Sequence, residues 1–490
     1  MAESLKERAV SGVLWSSIQK FGISIISFIS NIVLARLLTP DDYGCLGLLL
    51  IFIAISNALI YGGFISALIQ KKNADETDFS TVFYWNLVVS ILLYTVLFFA
   101  APAIARYYKI DLLCNVLRVF GVVLIINGLT AVQTTLLRKY LNFRKLAIIG
   151  VTSTLISIIV AIVLAYMGFG VWALVFQNVT NSIINSILLW FTSNWRPKLI
   201  FSTKSFKGLF GYGCFLLLSD LMNSLCDNIQ GLIIGKRFSS STMGYYTQAK
   251  RMEDVPSSSI TQLVAQVTFP IYAKVQDDKE RLYRAVKNTL ALMNYINIPL
   301  MMMFIVVARP LFIVLFSDTW IDSIPYFRIL CVAGFVNCLQ SVNYQVVSAS
   351  GRSKELFVWN FVKRGSGLAL MLVGALLGVE GILWGMVISF YIIFVINAKL
   401  AYKSTSYSMF EQIKDSMPAL GLSLAAGAAA FGVSFLFQNV FVLLALQVAV
   451  FVAVYLLLSW VLKMNELFEV KQMAMNYLSN FTGSKKNRAK

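Results

Sequence analysis

Charged side chains inside long apolar runs are the residues of this 490-residue chain best equipped to do chemistry. A charge near the centre of a bilayer costs at least ~2.5–3.5 kcal/mol on insertion scales, so such groups turn toward a protein interior or a wet cavity. Lys20 belongs to a stripe in which Ser17, Lys20, Ser24, Ser27 and Asn31 recur at steps of three and four, one face of a helix. Later in the chain the same rhythm returns with Asp220, Asn223, Ser224, Asp227 and Gly231, widened by Asn228 and Gln230. Two such stripes describe a wet central cleft. Lys20 is then either a cavity cation or a structural partner of Asp220 or Asp227. At 1.5 Å per residue it lies about 15 Å into its helix, an awkward depth from which to snorkel.

A third cluster, Gln248, Lys250, Arg251, Glu253, Asp254, Ser258 and Gln262, surrounds Pro256, which deletes a backbone donor and predicts a bend. Arg251, Asp254, Ser258 and Gln262 share a face. Arg251 and Asp254 stand either as cavity groups or as an i,i+3 pair that neutralises itself, and Lys250 is near enough to the helix end to snorkel. Lys363 and Arg364 lie six or seven residues into a later apolar run. For them, too, a cavity role and snorkelling both stay open.

Other chemistries are absent from the sequence. No histidine is present, which removes imidazole zinc sites, Ser-His-Asp systems and imidazole proton relays. The six cysteines, at 45, 114, 214, 226, 331 and 338, include no C-x-x-C pair and read as small buried hydrophobes. No G-x-G-x-x-G or G-K-[ST] element follows a strand, so no nucleotide site is expected; no metal site is expected either.

The elements that must position these residues are membrane helices. The chain is 58% hydrophobic and only 13% charged, about half the charge of an ordinary soluble protein. Runs of about 20 apolar residues, the length needed to cross a bilayer, give 14 candidates near 10–36, 43–69, 82–104, 113–135, 147–167, 171–193, 209–235, 244–270, 289–312, 326–348, 357–377, 381–402, 416–437 and 441–462. With the N-terminus inside, cytoplasmic segments hold 28 of the 41 Lys and Arg and outside loops hold 8. By the positive-inside rule both termini are cytoplasmic. The net charge of +18 is therefore mostly topological. The tail cations Lys485, Lys486, Arg488 and Lys490 suit anionic headgroups, and nucleic acid is not an expected partner.

A shift of 200 residues lays the first span on the seventh, pairing Lys20 with Asp220, Ser27 with Asp227, Arg36 with Lys236, Thr39 with Ser239 and Gly44 with Gly244. Leu137-Arg138-Lys139 through Phe143-Arg144-Lys145 recurs in character at Ser350-Gly351-Arg352-Ser353-Lys354. The expected class is all-α integral membrane, with about 14 transmembrane helices in two pseudo-symmetric six-helix lobes plus two C-terminal helices. The expected boundaries are 1–193 for the N-lobe, 194–208 for a cytoplasmic linker, 209–402 for the C-lobe, 403–462 for spans thirteen and fourteen, and 463–490 for a basic tail. Gly12, Gly22, Gly62, Gly63, Gly211 and Gly213 read as close-packing or hinge positions. Trp172, Trp190, Trp195 and Trp320 read as interfacial anchors.

Leu34-Ala35-Arg36-Leu37-Leu38-Thr39-Pro40-Asp41-Asp42-Tyr43-Gly44 resembles the first hairpin of the polysaccharide-type flippases in the multidrug/oligosaccharidyl-lipid/polysaccharide exporter superfamily. Gly235-Lys236-Arg237-Phe238 through Met243-Gly244-Tyr245-Tyr246, and on to Phe269-Pro270, is similar to the second-lobe counterpart. Trp195-Arg196-Pro197-Lys198-Leu199 resembles the linker of the subgroup that includes the Wzx flippase for colanic acid. The resemblance implies a V-shaped exporter at the bacterial inner membrane that moves undecaprenyl-pyrophosphate-linked oligosaccharide repeat units by alternating access. These would supply lipopolysaccharide O-antigen, capsule or exopolysaccharide.

In that reading Lys20, Arg251, Lys363 and Arg364 meet the pyrophosphate, while Ser24, Ser27, Asn31, Asn223 and Gln262 hydrogen-bond sugar hydroxyls. Asp220, Asp227 and Asp254 are ion-coupling or charge-pair candidates. No cofactor is expected beyond a proton or Na⁺ for coupling. The expected partners are the lipid-linked substrate, membrane lipids and a polysaccharide polymerase, and the expected state is a monomer. The alternative is a cation-coupled multidrug exporter of the same superfamily, disfavoured by Lys20 in a first lobe without an intramembrane acid. A membrane enzyme of glycan assembly is disfavoured by short outer loops and missing histidine.

Overall fold

The computed structural model describes residues 5–71, 74–472 and 475, and all regular structure among them is helical. The helices are α1 (Leu5–Leu37), α2 (Pro40–Tyr61), α3 (Phe64–Gln70), α4 (Glu76–Tyr108), α5 (Leu112–Lys139), α6 (Phe143–Tyr166), α7 (Val171–Thr192) and α8 (Thr203–Arg237). There follow α9 (Ser240–Val275), α10 (Lys279–Phe316), α11 (Ser323–Ala349), α12 (Ser353–Gly374), α13 (Val379–Thr405), α14 (Met409–Gly432) and α15 (Val440–Val461). Among the described residues, twelve helical spans are long and apolar enough to cross a membrane, and the bent helix α8 makes a thirteenth if its two arms count as one span. The chain is a multi-pass membrane protein. The span expected at 244–270 is helical, as part of α9.

The polar sequence around each turn fixes where helices begin. Thr39 caps α2, accepting from the Asp42 amide at 3.3 Å while the Asp42 carboxylate accepts from the Thr39 amide at 2.9 Å. Pro40 occupies the first turn, where its missing N–H is not needed. Asp75 and Asp78 form the same box at the start of α4. The expected span 43–69 is broken into α2 and α3 at Gly62-Gly63. Gly63 has φ +77, and a Cβ there would lie 1.8 Å from the Gly213 carbonyl oxygen, so the break and a backbone approach to α8 share one glycine.

Two compact units divide the chain, Met1–Thr247 and Gln248–Lys490. In the first, α1 packs on α6, α4 and α7 on α5, and α8 on α2, α3 and α4. The segment after α7 is fastened to the start of α4. The Lys198 amide donates to Ser80 Oγ at 3.1 Å, the Ser202 amide to Thr81 Oγ1 at 3.1 Å, Lys198 pairs with Glu76, and the Trp195 ring meets Phe79 and Phe83 edge-on.

The 200-residue internal shift is visible as a reciprocal contact in this unit. A Cβ on Gly44 would fall 1.9 Å from the Ser240 carbonyl oxygen, and one on Gly244 would fall 1.8 Å from that of Pro40. Each glycine thus meets the residue equivalent to the one its counterpart meets, as a local two-fold axis between α2 and α9 requires. Asp41 adds two bonds, accepting from Ser240 Oγ on its carbonyl and from Ser241 Oγ on its carboxylate.

In the second unit α10 is central, packing on α11, α14 and α15, while α13 joins α11 to α12. Val286, Leu290, Val342, Val346, Ala398 and Ala401 fill its main core. Polar bonds tie α14 and α15 to this group. Asn343 Nδ2 donates to Gln412 Oε1 at 2.8 Å, Asn294 Nδ2 to Ser416 Oγ at 2.7 Å, and Tyr455 Oη to the Tyr295 carbonyl at 2.8 Å. In a bilayer such buried amides hold neighbouring helices together, because apolar contact alone does not favour protein over lipid.

Candidate functional site

The residues singled out by sequence fall in both units. The first unit holds Lys20, Ser24, Ser27 and Asn31 on α1 and Asp220, Asn223 and Asp227 on α8. The second holds Arg251, Asp254 and Gln262 on α9 and Lys363 and Arg364 on α12. The side chain of Gln262 lies outside the described residues, as do Lys485, Lys486, Arg488 and Lys490.

On α1, Lys20 and Ser24 are half-buried and Ser27 is exposed. The Lys20 ammonium is shielded and makes no hydrogen bond, so it is not bonded to Asp220 or Asp227. An ammonium kept from water without a partner is costly, and an anionic ligand would relieve that cost. Asn31, one face-repeat further on, accepts from Tyr43 Oη at 3.1 Å, which ties α1 to α2. The neighbouring Gln19 fits against α6 because residue 150 is glycine: a Cβ there would stand 3.0 Å from Gln19 Nε2.

On α8, Asp220 and Asp227 are exposed and Asn223 is half-buried. Two of the stripe's amides turn back on their own helix, Asn228 Nδ2 to the Ser224 carbonyl at 2.8 Å and Gln230 Nε2 to the Asp227 carbonyl at 2.6 Å.

In the second unit Arg251 is half-buried and Asp254 exposed. Between them Glu253 is buried, its carboxylate accepting from Ser257 Oγ and lying beside the backbone of Gly334. Lys363 is 4% exposed and does not snorkel: its Nζ donates to Asn397 Oδ1 at 2.5 Å. Asn397 in turn donates from Nδ2 to the Gln340 carbonyl at 3.2 Å. Arg364, next to it, is half-buried. Sequence reasoning missed Glu253 and Asn397 as members of this set. Glu253 was visible as one more acid in the cluster, and Asn397 as a lone amide in an apolar run. Among the described residues no group of three His, Cys, Asp or Glu is arranged to hold a metal ion.

In each unit, cationic and amide groups on membrane helices have the chemistry of binding groups. A family described as polysaccharide biosynthesis protein matches residues 33–325. The chain belongs to this family. Both hairpin motifs around Thr39–Gly44 and Gly235–Tyr246 fall inside the match. Among its relatives in the family's field, the teichuronic acid biosynthesis protein TuaB of Bacillus subtilis (strain 168) is 26% identical over 437 residues, 88% of this chain and 90% of TuaB. The lipopolysaccharide biosynthesis protein WzxC of Escherichia coli (strain K12) is 24% identical over 402 residues, 81% of each chain. In fold, the chain is similar to an inward closed structure of the lipid II flippase MurJ, with a TM-score of 0.77, 16% identity, and coverage of 92% of this chain and 98% of that one.

Proposed function

We propose that this membrane protein flips undecaprenyl-pyrophosphate-linked oligosaccharide repeat units across the bacterial inner membrane, for assembly of a surface polysaccharide. The observation that carries the reading is Lys20, a shielded cation without a hydrogen-bond partner on a polar helix face. Family membership and the flippase-like fold support it. The head of such a lipid offers two phosphates for an ammonium and many hydroxyls for Ser24, Ser27, Asn31 and Asn223. Two lobes that open alternately inward and outward carry the head, while the polyprenyl tail stays in lipid. Both termini are cytoplasmic in this reading, and a monomer hands its cargo to a polymerase. Asp220 and Asp227, exposed on α8, are the groups to couple a proton or Na⁺ gradient.

Deletion of the gene tests the reading. Complete lipid-linked repeat units are expected to accumulate on the cytoplasmic face of the inner membrane, relieved by the intact gene. A normal lipid-linked pool with altered sensitivity to cationic dyes would point to multidrug export instead.

A further inference from the structure

One cavity of about 320 Å³ lies wholly within the first unit, at the end where α5 turns into α6. It is lined by Ser16 and Gln19 of α1, Thr134 and Arg138 of α5, Phe143, Leu146 and Ile149 of α6, and Asn185 and Leu189 of α7. Five polar side chains converge from three helices, opposite an apolar wall from α6, and no carboxylate is among them. Arg138 belongs to a turn carrying four cations with different fates. Lys139 donates to the carbonyls of Leu68 and Lys71, both at 2.7 Å, and closes the end of α3. Arg144 stands 5.5 Å over the Trp15 ring. Lys145 is exposed. Arg138 alone of the four lines the cavity, and among the described residues no carboxylate pairs with it.

Two buried polar atoms without hydrogen-bond partners lie on the same helices, each on a residue one turn from a lining residue. Lys20 Nζ is on the residue one helical turn beyond Ser16, and Asn181 Oδ1 is on the residue one turn before Asn185. Buried polar atoms are nearly always bonded, so these helices carry an unmatched cation and carbonyl oxygen one turn from the polar lining, in keeping with a ligand that has both acceptor and donor groups.

Resting on the flippase reading, we infer that this cavity binds a single sugar unit bearing or adjoining a negative charge, the phosphate-proximal sugar of the lipid-linked substrate. Its volume is at the small end of ligand sites, about 300–1,000 Å³, too small for an oligosaccharide and right for one ring. Arg138 takes the charge with its planar fork. Ser16, Gln19, Thr134 and Asn185 take the hydroxyls. The C–H face of the ring lies on Phe143, Leu146 and Ile149.

The test uses the full chain with glucose 1-phosphate as probe, read by saturation-transfer NMR in detergent. Ring protons are expected to receive saturation from the wild type and from Lys145→Gln, which removes a charge from the same turn without lining the cavity. The signal should fall at least fivefold in Arg138→Gln and recover in part in Arg138→Lys. Equal signal from Arg138→Gln and wild type overturns the inference. So does loss of the signal when phosphatidylglycerol is added at lipid-like amounts, which would make the cavity a headgroup site. In proteoliposomes, transfer of a polyprenyl-pyrophosphate-linked disaccharide to an impermeant glycosidase should need roughly tenfold more substrate for half-maximal rate in Arg138→Gln. Wild-type protein that binds the sugar phosphate yet moves no lipid would refute the flippase reading and leave the sugar site standing. Wild-type transport by Arg138→Gln at every substrate concentration would remove the site from the transport path.

Discussion

Each compact unit places a lysine inside an apolar helix, and the two environments are opposite. Lys363 of α12 is buried and its ammonium is held by Asn397, which is itself anchored to the Gln340 carbonyl. Lys20 of α1 is half-buried, yet its ammonium is shielded and has no hydrogen bond. A charge that the fold has already solvated contributes to holding α12 against α13. A charge that the fold shields and leaves unsolvated is available to something that arrives later. Depth in the membrane therefore says less about function than the presence of a partner does.

The largest expected effect comes from breaking the satisfied lysine. Asn397→Leu leaves the Lys363 ammonium buried without its acceptor, and removal of one partner of a buried charge costs about 3–5 kcal/mol. The melting temperature in detergent should drop, and Lys363→Met added to it should restore most of the loss. If Asn397→Leu melts with the wild type, Lys363 is not held as described.

Next in size is Lys20→Ala. Loss of one charge-assisted bond to the substrate, about 1.5–3 kcal/mol, should cut transport roughly tenfold to a hundredfold with no fall in melting temperature. Lys20→Arg should keep much of the activity. A melting temperature lowered as far as that of Asn397→Leu would show that Lys20 is structural, and the contrast between the two lysines would vanish.

The smallest effect is expected at the far end of the α1 stripe. Asn31→Leu removes the acceptor of the Tyr43 hydroxyl and should cost about 1 kcal/mol, seen as a small shift in melting. Transport lost as fully as in Lys20→Ala would extend the substrate-facing part of the stripe to Asn31.

Much of the architecture was legible in the chain. Apolar length located the helices, since crossing about 30 Å of hydrocarbon imposes a minimum on every span. The shift that pairs Gly44 with Gly244 was legible as a repeat of polar periodicity, but the reciprocal contact of those glycines between α2 and α9 was not read from it. Less visible was the break between α2 and α3. Gly62 and Gly63 stood out as hinge or packing positions, but the backbone of Gly213 that Gly63 approaches is 150 residues away in the chain. At the candidate site, the stripe was read as Ser17, Lys20 and Ser24, whereas the cavity takes Ser16 and Gln19 from the other side of Lys20. Arg138 read as a loop charge that sets topology, and the cavity beneath it could not be foreseen.

By itself the sequence determined that this is an all-helical membrane chain, which runs of residues are apolar enough to span, where the cations gather, and which side chains are unusual for their setting. These are local properties, readable from composition and periodicity within about 20 residues. Only the tertiary structure decided which of the unusual side chains are satisfied. Asn397 reaches Lys363 across 34 residues, Arg138 meets Ser16 and Asn185 in one cavity, and Lys20 meets no acceptor. A partner is supplied by packing between helices distant in sequence, and no local pattern encodes it.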